Sequence, residues 1–396
     1  WPGTALMGIE PDKISRSVLK EMDSFYANGM FANGLSTIQT DELHTYEEGI
    51  QVLPQVMLVD YASPKNVERI METAKALERI TGVNAAGHRH VRSSFYGGTK
   101  MAEESVWEIS KPYSYLVTHP VMVLVEYNGH PAAKKLLLEL ADGLLAHRKK
   151  DSDGKWIMET TFNFRTDEGW AGGLGTEAYL LWAAYRWTGD RKYIQPLVDM
   201  GPSMLGVVDN NALDMLGVRD TWGAQIAKST APASGGDLNR HIAWQVTGDK
   251  SYLENLYADQ MQAAALREYI NTEGHLWSDR VNVSHGELQR ARLGGVAIVR
   301  NAIYPGHAVS WRFKAPATGE SAAILIPDAT PTGMKIIAYN LESAPVTATM
   351  TAWDIDPGMW EVVRGIDSDG DDTADRNTVT STVALERTGN LELVLK

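Results

Sequence analysis

The chain has 396 residues, of which 44% are hydrophobic and 22% are charged, a composition typical of globular proteins and unlike that of disordered ones. Its 37 basic and 50 acidic residues give a net charge of −13, which argues against nonspecific binding to nucleic acid or to an anionic membrane. Cysteine is absent, so disulfides, cysteine-ligated metals and cysteine nucleophiles are excluded.

Apolar runs in the sequence fall well short of the ~20 residues that cross a bilayer, so we expect no membrane insertion. The chain begins at Trp1, and we expect it to be a processed form of a secreted or periplasmic protein.

Helical periodicity dominates residues 12–300. Apolar residues recur three and four positions apart, as on one face of a helix. The clearest predicted helices are Ile14–Phe25, Val67–Ile80, Ala132–Leu145, Tyr179–Trp187 and Tyr252–Tyr269.

One turn recurs at a period of about sixty residues. The sequences E-Y-N-G-H-P-A, R-W-T-G-D-R-K-Y and Q-V-T-G-D-K-S-Y contain Gly129, Gly189 and Gly248, and a weaker copy, R-I-T-G-V, contains Gly82. Glycine in a left-handed conformation ends a helix and a following aspartate caps the next one. Each unit is therefore predicted to be a helical hairpin, and the repeat predicts a solenoid or a closed ring.

From about Tyr304 the pattern changes to short β-branched runs separated by proline, glycine, aspartate and asparagine. These runs are Ala308–Phe313, Ala322–Pro327, Met334–Tyr339, Val346–Trp353, Thr378–Leu385 and Leu391–Leu395. Several of them alternate at period two, which predicts an antiparallel β-sandwich. We therefore predict a helical domain over 1–303 and a β-domain over 304–396.

Four long segments lack clear helical periodicity: Asn84–Lys100, Lys149–Gly175, Asp220–Gly236 and Glu273–Gly295. Connections this long inside a compact domain are usually functional.

The first of these segments holds a basic cluster of His88, Arg89, His90, Arg92 and Tyr96. Arginine can bind a carboxylate or sulfate, while histidine or tyrosine transfers a proton. A solvated loop with one buried histidine is the alternative. His88 and His90 can also be two metal ligands on one face of an extended segment, although the sequence shows no third ligand nearby.

The second segment contains Asn163, Arg165 and Trp170, with Asp167 and Glu168 between them. Asparagine and arginine can bind a carboxylate and stabilise the charge that develops on it. The two acids can instead serve glycoside hydrolysis, or cap the next helix. The G-x-G-x-x-A outline over Gly173–Ala178 resembles a dinucleotide motif, but no βαβ unit surrounds it, so no nucleotide cofactor is predicted.

A similar polar group, Asn239, Arg240 and His241, opens the helix of the next hairpin. Helix openings of successive hairpins lie on one rim of a ring, so these side chains are predicted to reach the same cleft. Trp277, like Trp170, offers a flat face for stacking on a sugar ring.

An aspartate-rich stretch near the C-terminus places Asp367, Asp369, Asp371 and Asp375 at positions 1, 3, 5 and 9 of a calcium-loop pattern, an arrangement that can bind one hard cation. Asp372 and Thr378 stand where an EF-hand has glycine and glutamate. Two interpretations of this stretch remain open: a structural Ca²⁺ site and an acidic turn that binds no metal.

The hairpins ending in W-T-G-D-R-K-Y and V-T-G-D-K-S-Y resemble those of the (α/α) toroid carbohydrate-active enzymes. The following β-domain resembles the C-terminal sandwich of toroid polysaccharide lyases of the heparinase II/III-like and alginate-lyase groups. The resemblance implies cleavage of a uronate polysaccharide by β-elimination: asparagine, arginine or histidine neutralises the carboxylate, and tyrosine or histidine transfers the protons.

The leading hypothesis is thus a polysaccharide lyase acting on an acidic glycan. The predicted acid–base residues are His88, His90, Tyr96 and His241, and the predicted substrate-binding residues are Arg89, Arg92, Asn163, Arg165, Trp170, Asn239, Arg240 and Trp277. Two alternatives stay open. One is a toroid glycoside hydrolase that uses two carboxylates among Asp167, Glu168, Asp237 and Asp279, and the other is a non-catalytic glycan-binding protein.

Overall fold

The computed structural model of the chain describes residues 11–38, 45, 52–100, 108–209, 212–265, 303–304 and 308–396. Regular structure is mostly helical up to Ala265 and consists of strands from Ala308 onward. The protein is therefore a mixed α and β protein. Among the described helices, none combines the length and the apolar character that a membrane span needs.

The helices, numbered in chain order, are α1 (Pro11–Ala27), α2 (Leu53–Val59), α3 (Pro64–Ile80), α4 (Thr118–Asn128), α5 (Pro131–Ala146), α6 (Ala178–Thr188), α7 (Gln195–Met200), α8 (Ser203–Val208), α9 (Ala212–Met215), α10 (Val218–Ser229), α11 (Asp237–Thr247) and α12 (Ser251–Ala265). The strands of this region are β1 (Phe31–Ala32), β2 (Leu35–Ser36), β3 (Thr81–Val83), β4 (Arg89–Val91), β5 (Ile109–Ser110), β6 (Arg148–Lys150), β7 (Trp156–Asn163) and β8 (Gly169–Gly172).

The five helices that the apolar periodicity predicts most clearly are present, as α1, α3, α5, α6 and α12. In α5, Leu136, Leu137, Leu140 and Leu144 are buried at spacings of one, three and four residues, so one face of the helix enters the core. The final residues of the predicted helix Tyr252–Tyr269 lie outside the described residues.

Three of the four predicted turns end helices as the sequence indicates. Gly129, Gly189 and Gly248 have φ angles of +66°, +71° and +75°, the left-handed conformation that glycine adopts without a Cβ penalty. The Asp249 carboxylate accepts a hydrogen bond from the Ser251 amide at 2.9 Å and so caps the start of α12.

Two predictions of local structure in this region are wrong. Gly82 does not end a helical hairpin but lies in β3, because α3 passes directly into an extended strand that pairs with β4. The segment Asp220–Gly236 is not wholly irregular either, since α10 covers its first half. Gly223 and Thr221 weaken the helical pattern there, but burial of Val218 and Ile226 holds the helix in place.

The C-terminal strands are β9 (Ala308–Phe313), β10 (Ala322–Thr330), β11 (Gly333–Asn340), β12 (Val346–Trp353), β13 (Gly358–Ile366), β14 (Arg376–Leu385) and β15 (Gly389–Leu395). All six predicted runs form strands, and β13 is a seventh that the sequence analysis missed. Pairing is antiparallel, in the order β15-β12-β9, with two further ribbons, β10-β11 and β13-β14. Val309, Trp311, Ile324 and Met350 belong to one core formed by these strands.

Three small antiparallel units stand among the described helices. They are the hairpins β1-β2 and β3-β4 and a sheet in which β7 pairs with β5, β6 and β8. The turns of β3-β4 and β7-β8 and the C-terminal end of α5 hold the candidate functional site.

Candidate functional site

The hairpin β3-β4 presents the first two histidines. Gly82 pairs with His90 across the hairpin, and Asn84 shapes its turn: the Asn84 Oδ1 accepts hydrogen bonds from the amides of Ala86 and His88, both at 3.0 Å. His88 and His90 are two residues apart on extended backbone, and their ring centroids lie 6.1 Å apart.

The turn between β7 and β8 presents a carboxylate to the same place. The Asn163 Oδ1 accepts hydrogen bonds from the amides of Arg165 and Thr166, both at 2.9 Å. Asp167 then adopts a φ of +60°, a left-handed conformation that is uncommon for a residue with a side chain and is often found at functional sites.

A third histidine enters from the end of α5. His147 is the residue at which this helix ends, directly before β6. Within α5, a Cβ added at Gly143 would lie 2.3 Å from the Arg89 carbonyl oxygen and 3.1 Å from the His90 Cε1. The absence of a side chain at Gly143 therefore lets β4 lie directly on the helix and brings His90 beside His147.

We expect Gly143→Ala to lower the free energy of unfolding by roughly 1–3 kcal/mol, because overpacking against backbone outweighs the better helix propensity of alanine. Urea unfolding checks this. Gly223→Ala in α10 is the matched control, since its added Cβ would meet only a Val246 methyl group at 3.1 Å. Equal stability changes in the two variants would contradict the close approach at Gly143.

These elements bring four potential ligand groups together, which we call the His/Asp cluster: His88, His90, His147 and Asp167. One ligand atom from each residue lies within 4.8 Å of those of the other three. The Nε2 atoms of His90 and His147 are 3.2 Å apart, and each is 3.5 Å from the Asp167 Oδ1. The His88 Nδ1 lies 2.8 Å from the other carboxylate oxygen, Oδ2.

The cluster has a buried side and an open side. The side chains of His90 and His147 are 0% and 5% exposed, whereas those of His88 and Asp167 are 33% and 18% exposed. Phe162 forms the inner wall, since its ring centroid lies 4.0 Å from that of His90 and 4.4 Å from that of His147. Solvent therefore reaches the cluster past His88 and Asp167.

Burial, and then repulsion from His147, lowers the pKa of His90 to about 3. Burial likewise lowers the pKa of His147. Burial of Asp167 opposes its ionisation, but a hydrogen bond from Asn84, the charge of His147 and the contact with His88 hold its pKa below the usual value. The inner side of the cluster thus presents two neutral imidazoles and one carboxylate near neutral pH.

Two outer contacts orient the cluster. The Asn84 Nδ2 donates a 2.6 Å hydrogen bond to the Asp167 Oδ1. The Tyr115 hydroxyl, on a fully buried side chain, lies 3.2 Å from the His90 Nδ1. Contacts of this kind fix the orientation of carboxylate and imidazole ligands in metal and catalytic sites.

Of the predicted site residues, His88 and His90 belong to the cluster, but Tyr96 does not support the acid–base role predicted for it. Its side chain is fully buried, and its hydroxyl donates a 3.1 Å hydrogen bond to the Ser114 carbonyl. The Asn163 side-chain oxygen is engaged in building the β7-β8 turn, which positions Asp167.

The predicted arginines all have partners in the structure. Arg89 pairs with Glu139 at 2.7 Å, Arg165 pairs with Glu108, and the Arg92 Nε donates to the Thr81 carbonyl at 3.0 Å. Arg165 nevertheless keeps 67% of its side chain exposed. Trp170 on β8 is 41% exposed, three residues from Asp167, and its ring is available for stacking.

The polar group Asn239, Arg240 and His241 at the start of α11 makes its contacts with neighbouring helical residues. Arg240 is buried, with its Nη1 2.7 Å from the Asp259 Oδ2, and the buried His241 ring lies 5.3 Å from that of Trp244. Asn239 is exposed. These contacts do not support the predicted convergence on a shared cleft. Trp277 and Asp279 lie outside the described residues, as does the side chain of Asp237.

The aspartate-rich stretch forms the turn between β13 and β14. Ligand oxygens of Asp367, Asp369 and Asp375 lie within 4.8 Å of one another on exposed side chains, whereas the Asp371 Oδ1 accepts a 2.8 Å hydrogen bond from the Thr373 amide. Calcium binding there stays a prediction.

Sequence reasoning missed His147 as a member of the site and assigned Asp167 only to hydrolysis or capping. The available signals were a glycine in the last turn of an otherwise strong helix, at Gly143, and a histidine at the end of that helix. Neither signal indicates which residues lie beside it in the folded protein. Searches of protein-family models, curated proteins and solved structures found no match to this chain.

Proposed function

We propose that the protein is a polysaccharide lyase that cleaves a uronate-containing polysaccharide by β-elimination at the His/Asp cluster. The single observation that carries this proposal is the pairing of a solvent-accessible histidine with a fixed carboxylate: the His88 Nδ1 lies 2.8 Å from the Asp167 Oδ2, and Asn84 holds Asp167 through its other oxygen. A histidine oriented by a carboxylate is a recurrent general base.

In this proposal His88 removes the proton. Because Asp167 occupies Nδ1, Nε2 is the nitrogen that accepts the C5 proton of the uronate. The electron pair of that C–H bond forms the C4–C5 double bond, and the bond from C4 to the glycosidic oxygen breaks. The leaving oxygen takes up a proton from water, and His88 then releases the C5 proton to solvent. The reaction also needs positive charge or hydrogen-bond donors at the substrate carboxylate, since charge grows there as the C5 proton leaves.

The fold supports the same proposal. Helices joined through left-handed glycines at Gly129, Gly189 and Gly248, followed by an antiparallel β-region, are the features on which the resemblance to toroid lyases rests. We propose that the helices form an (α/α) toroid and the strands a β-sandwich. The exposed face of Trp170 suits stacking on a sugar ring.

The hydrolase alternative receives less support from the described carboxylates. Asp167 points into the His/Asp cluster, while its neighbour Glu168 is exposed. Their side chains therefore do not form the facing pair that glycoside hydrolysis needs.

The test is ultraviolet absorbance of the unsaturated uronate product. The protein is mixed in turn with alginate, glycosaminoglycans, ulvan, pectic polymers and gum-type uronate polymers, with a reducing-end assay run in parallel. We expect absorbance to rise with one class and to vanish when the carboxyl groups of that polymer are reduced to alcohols. Reducing ends without absorbance would show hydrolysis instead, and binding without either signal would leave a glycan-binding protein.

A further inference from the structure

Three ligand atoms of the His/Asp cluster form a nearly regular triangle. The His90 Nε2, the His147 Nε2 and the Asp167 Oδ1 are separated by 3.2, 3.5 and 3.5 Å. Ligands bound to a tetrahedral zinc ion at 2.0–2.1 Å lie about 3.3 Å from one another. All three edges of the triangle agree with that separation to within about 0.2 Å.

Hydrogen bonding alone is a poor account of this triangle. The two separations of 3.5 Å between nitrogen and carboxylate oxygen are longer than ordinary hydrogen bonds. The outer atoms of two of these groups already have close neighbours, since Tyr115 lies at the His90 Nδ1 and His88 at the Asp167 Oδ2. The Asp167 Oδ1 also accepts a hydrogen bond from Asn84. With its Nδ1 facing Tyr115, His90 turns its Nε2 toward the other two ligand atoms.

The chemistry of the three groups indicates the class of ion. Two imidazole nitrogens and one carboxylate oxygen suit zinc and neighbouring divalent transition metals, whereas calcium and magnesium prefer oxygen ligands throughout. Sites with three protein ligands keep a further position for water or substrate, which is characteristic of catalytic rather than structural zinc.

We propose that His90, His147 and Asp167 bind a zinc-class divalent ion with at least one coordination position open toward the solvent on the side of His88. That position would take the substrate carboxylate, a part of the inference that rests on the proposed lyase function. The metal would then supply the positive charge that β-elimination needs, since Arg89 and Arg165 are paired with Glu139 and Glu108. His88, whose Nδ1 contacts the outer oxygen of Asp167, remains the base rather than a ligand.

The test uses the full chain, freed of metal with a chelator and then titrated with Zn²⁺ by calorimetry. Bound metal is counted by elemental analysis, and Co²⁺ replaces Zn²⁺ to report coordination by visible absorption. We expect one ion per chain. We expect His147→Gln and Asp167→Asn each to weaken Zn²⁺ binding by more than the 10–100-fold typical of outer contacts, and Tyr115→Phe to weaken it by about 10–100-fold.

His88→Gln is the discriminating variant: if His88 lies outside the coordination sphere and only contacts Asp167, the variant should weaken Zn²⁺ binding no more than Tyr115→Phe does, by at most about 10–100-fold. Loss of metal from His88→Gln comparable with that from His147→Gln would overturn the open, three-ligand site. Absence of stoichiometric binding to the wild-type chain would overturn the metal site altogether. Circular dichroism shows which variants are folded. If His147→Gln does not fold, Asp167→Asn still tests the metal site, because Asp167 lies in a partly exposed turn.

The metal proposal and the lyase proposal fail separately. Stoichiometric Zn²⁺ binding without elimination on any uronate polymer would retain the metal site and reject the function. Full elimination by chelated protein that contains no metal would retain the lyase function and reject the part assigned to the metal in it, and absence of stoichiometric Zn²⁺ binding to an active lyase would reject the metal site alone.

Discussion

Replacing His88 with glutamine is expected to lower kcat for β-elimination by about 10²–10⁴-fold, the usual contribution of a positioned general base. Glutamine retains a polar group near Asp167 but cannot accept the C5 proton. Because His88 is 33% exposed and contacts Asp167 through one nitrogen, the substitution should leave the fold and KM nearly unchanged. The measurement is the initial rate of unsaturated-uronate formation over a range of substrate concentrations.

His130→Gln is the matched control for this experiment. The His130 side chain accepts a 3.2 Å hydrogen bond from the Ala133 amide and caps α5, away from the reacting groups. Its loss should cost stability in the range of about 0.5–2 kcal/mol expected of a helix cap while kcat stays within about twofold. A His88→Gln enzyme with a near-normal kcat would reject His88 as the base.

Local patterns allowed several helices and most of the C-terminal strands to be predicted. Periodic burial in α5 and left-handed glycines such as Gly189 are properties of short stretches of chain, so they can be predicted without tertiary information. The prediction at Gly82 was wrong because glycine serves equally in a turn and in a strand, and pairing with β4 decides between them. Strand β13 was missed because its apolar residues do not alternate with polar ones. Most of its residues are exposed, so no buried face imposes such an alternation.

The candidate site was predictable only in part, for a different reason. His88 and His90 are close in sequence, and their spacing alone places them together. His147 and Asp167 are brought there by separate contacts: the packing of β4 against Gly143 and the turn that Asn163 builds. A site assembled from a hairpin, a helix end and a second turn depends on tertiary packing, which cannot be predicted from any single stretch of sequence.

The second large effect that we expect is a fall in stability between pH 4.5 and pH 7 caused by Glu177. Its side chain is 0% exposed at the start of α6, and neither carboxylate oxygen has a hydrogen-bond partner among the described residues. Burial raises the pKa of Glu177 from 4.5 to about 7, although the nearby amides of Glu177 and Gly175 and the Thr160 hydroxyl partly oppose the shift.

The sign of the effect follows from proton binding. Below pH 4.5 the carboxyl is protonated in both folded and unfolded chains, so it contributes no pH dependence. Between pH 4.5 and pH 7 the unfolded chain releases the proton while the folded chain retains it, and stability falls as pH rises. Above pH 7 the accumulated loss levels off at about 3 kcal/mol, since each unit of pKa shift corresponds to ~1.4 kcal/mol.

Glu177→Gln removes this titration while nearly conserving shape, so the variant should gain stability over the wild type as pH rises from 4.5 to 7. Urea unfolding at a series of pH values measures the difference directly, and taking the difference between the two proteins cancels the titration of all other groups. Glu168→Gln, on an exposed side chain in the β7-β8 turn, is the control and should follow the wild-type curve. A Glu177→Gln curve parallel to that of the wild type would mean that the pKa of this carboxyl is the same in the folded and unfolded chains, and hence that a partner offsets its burial.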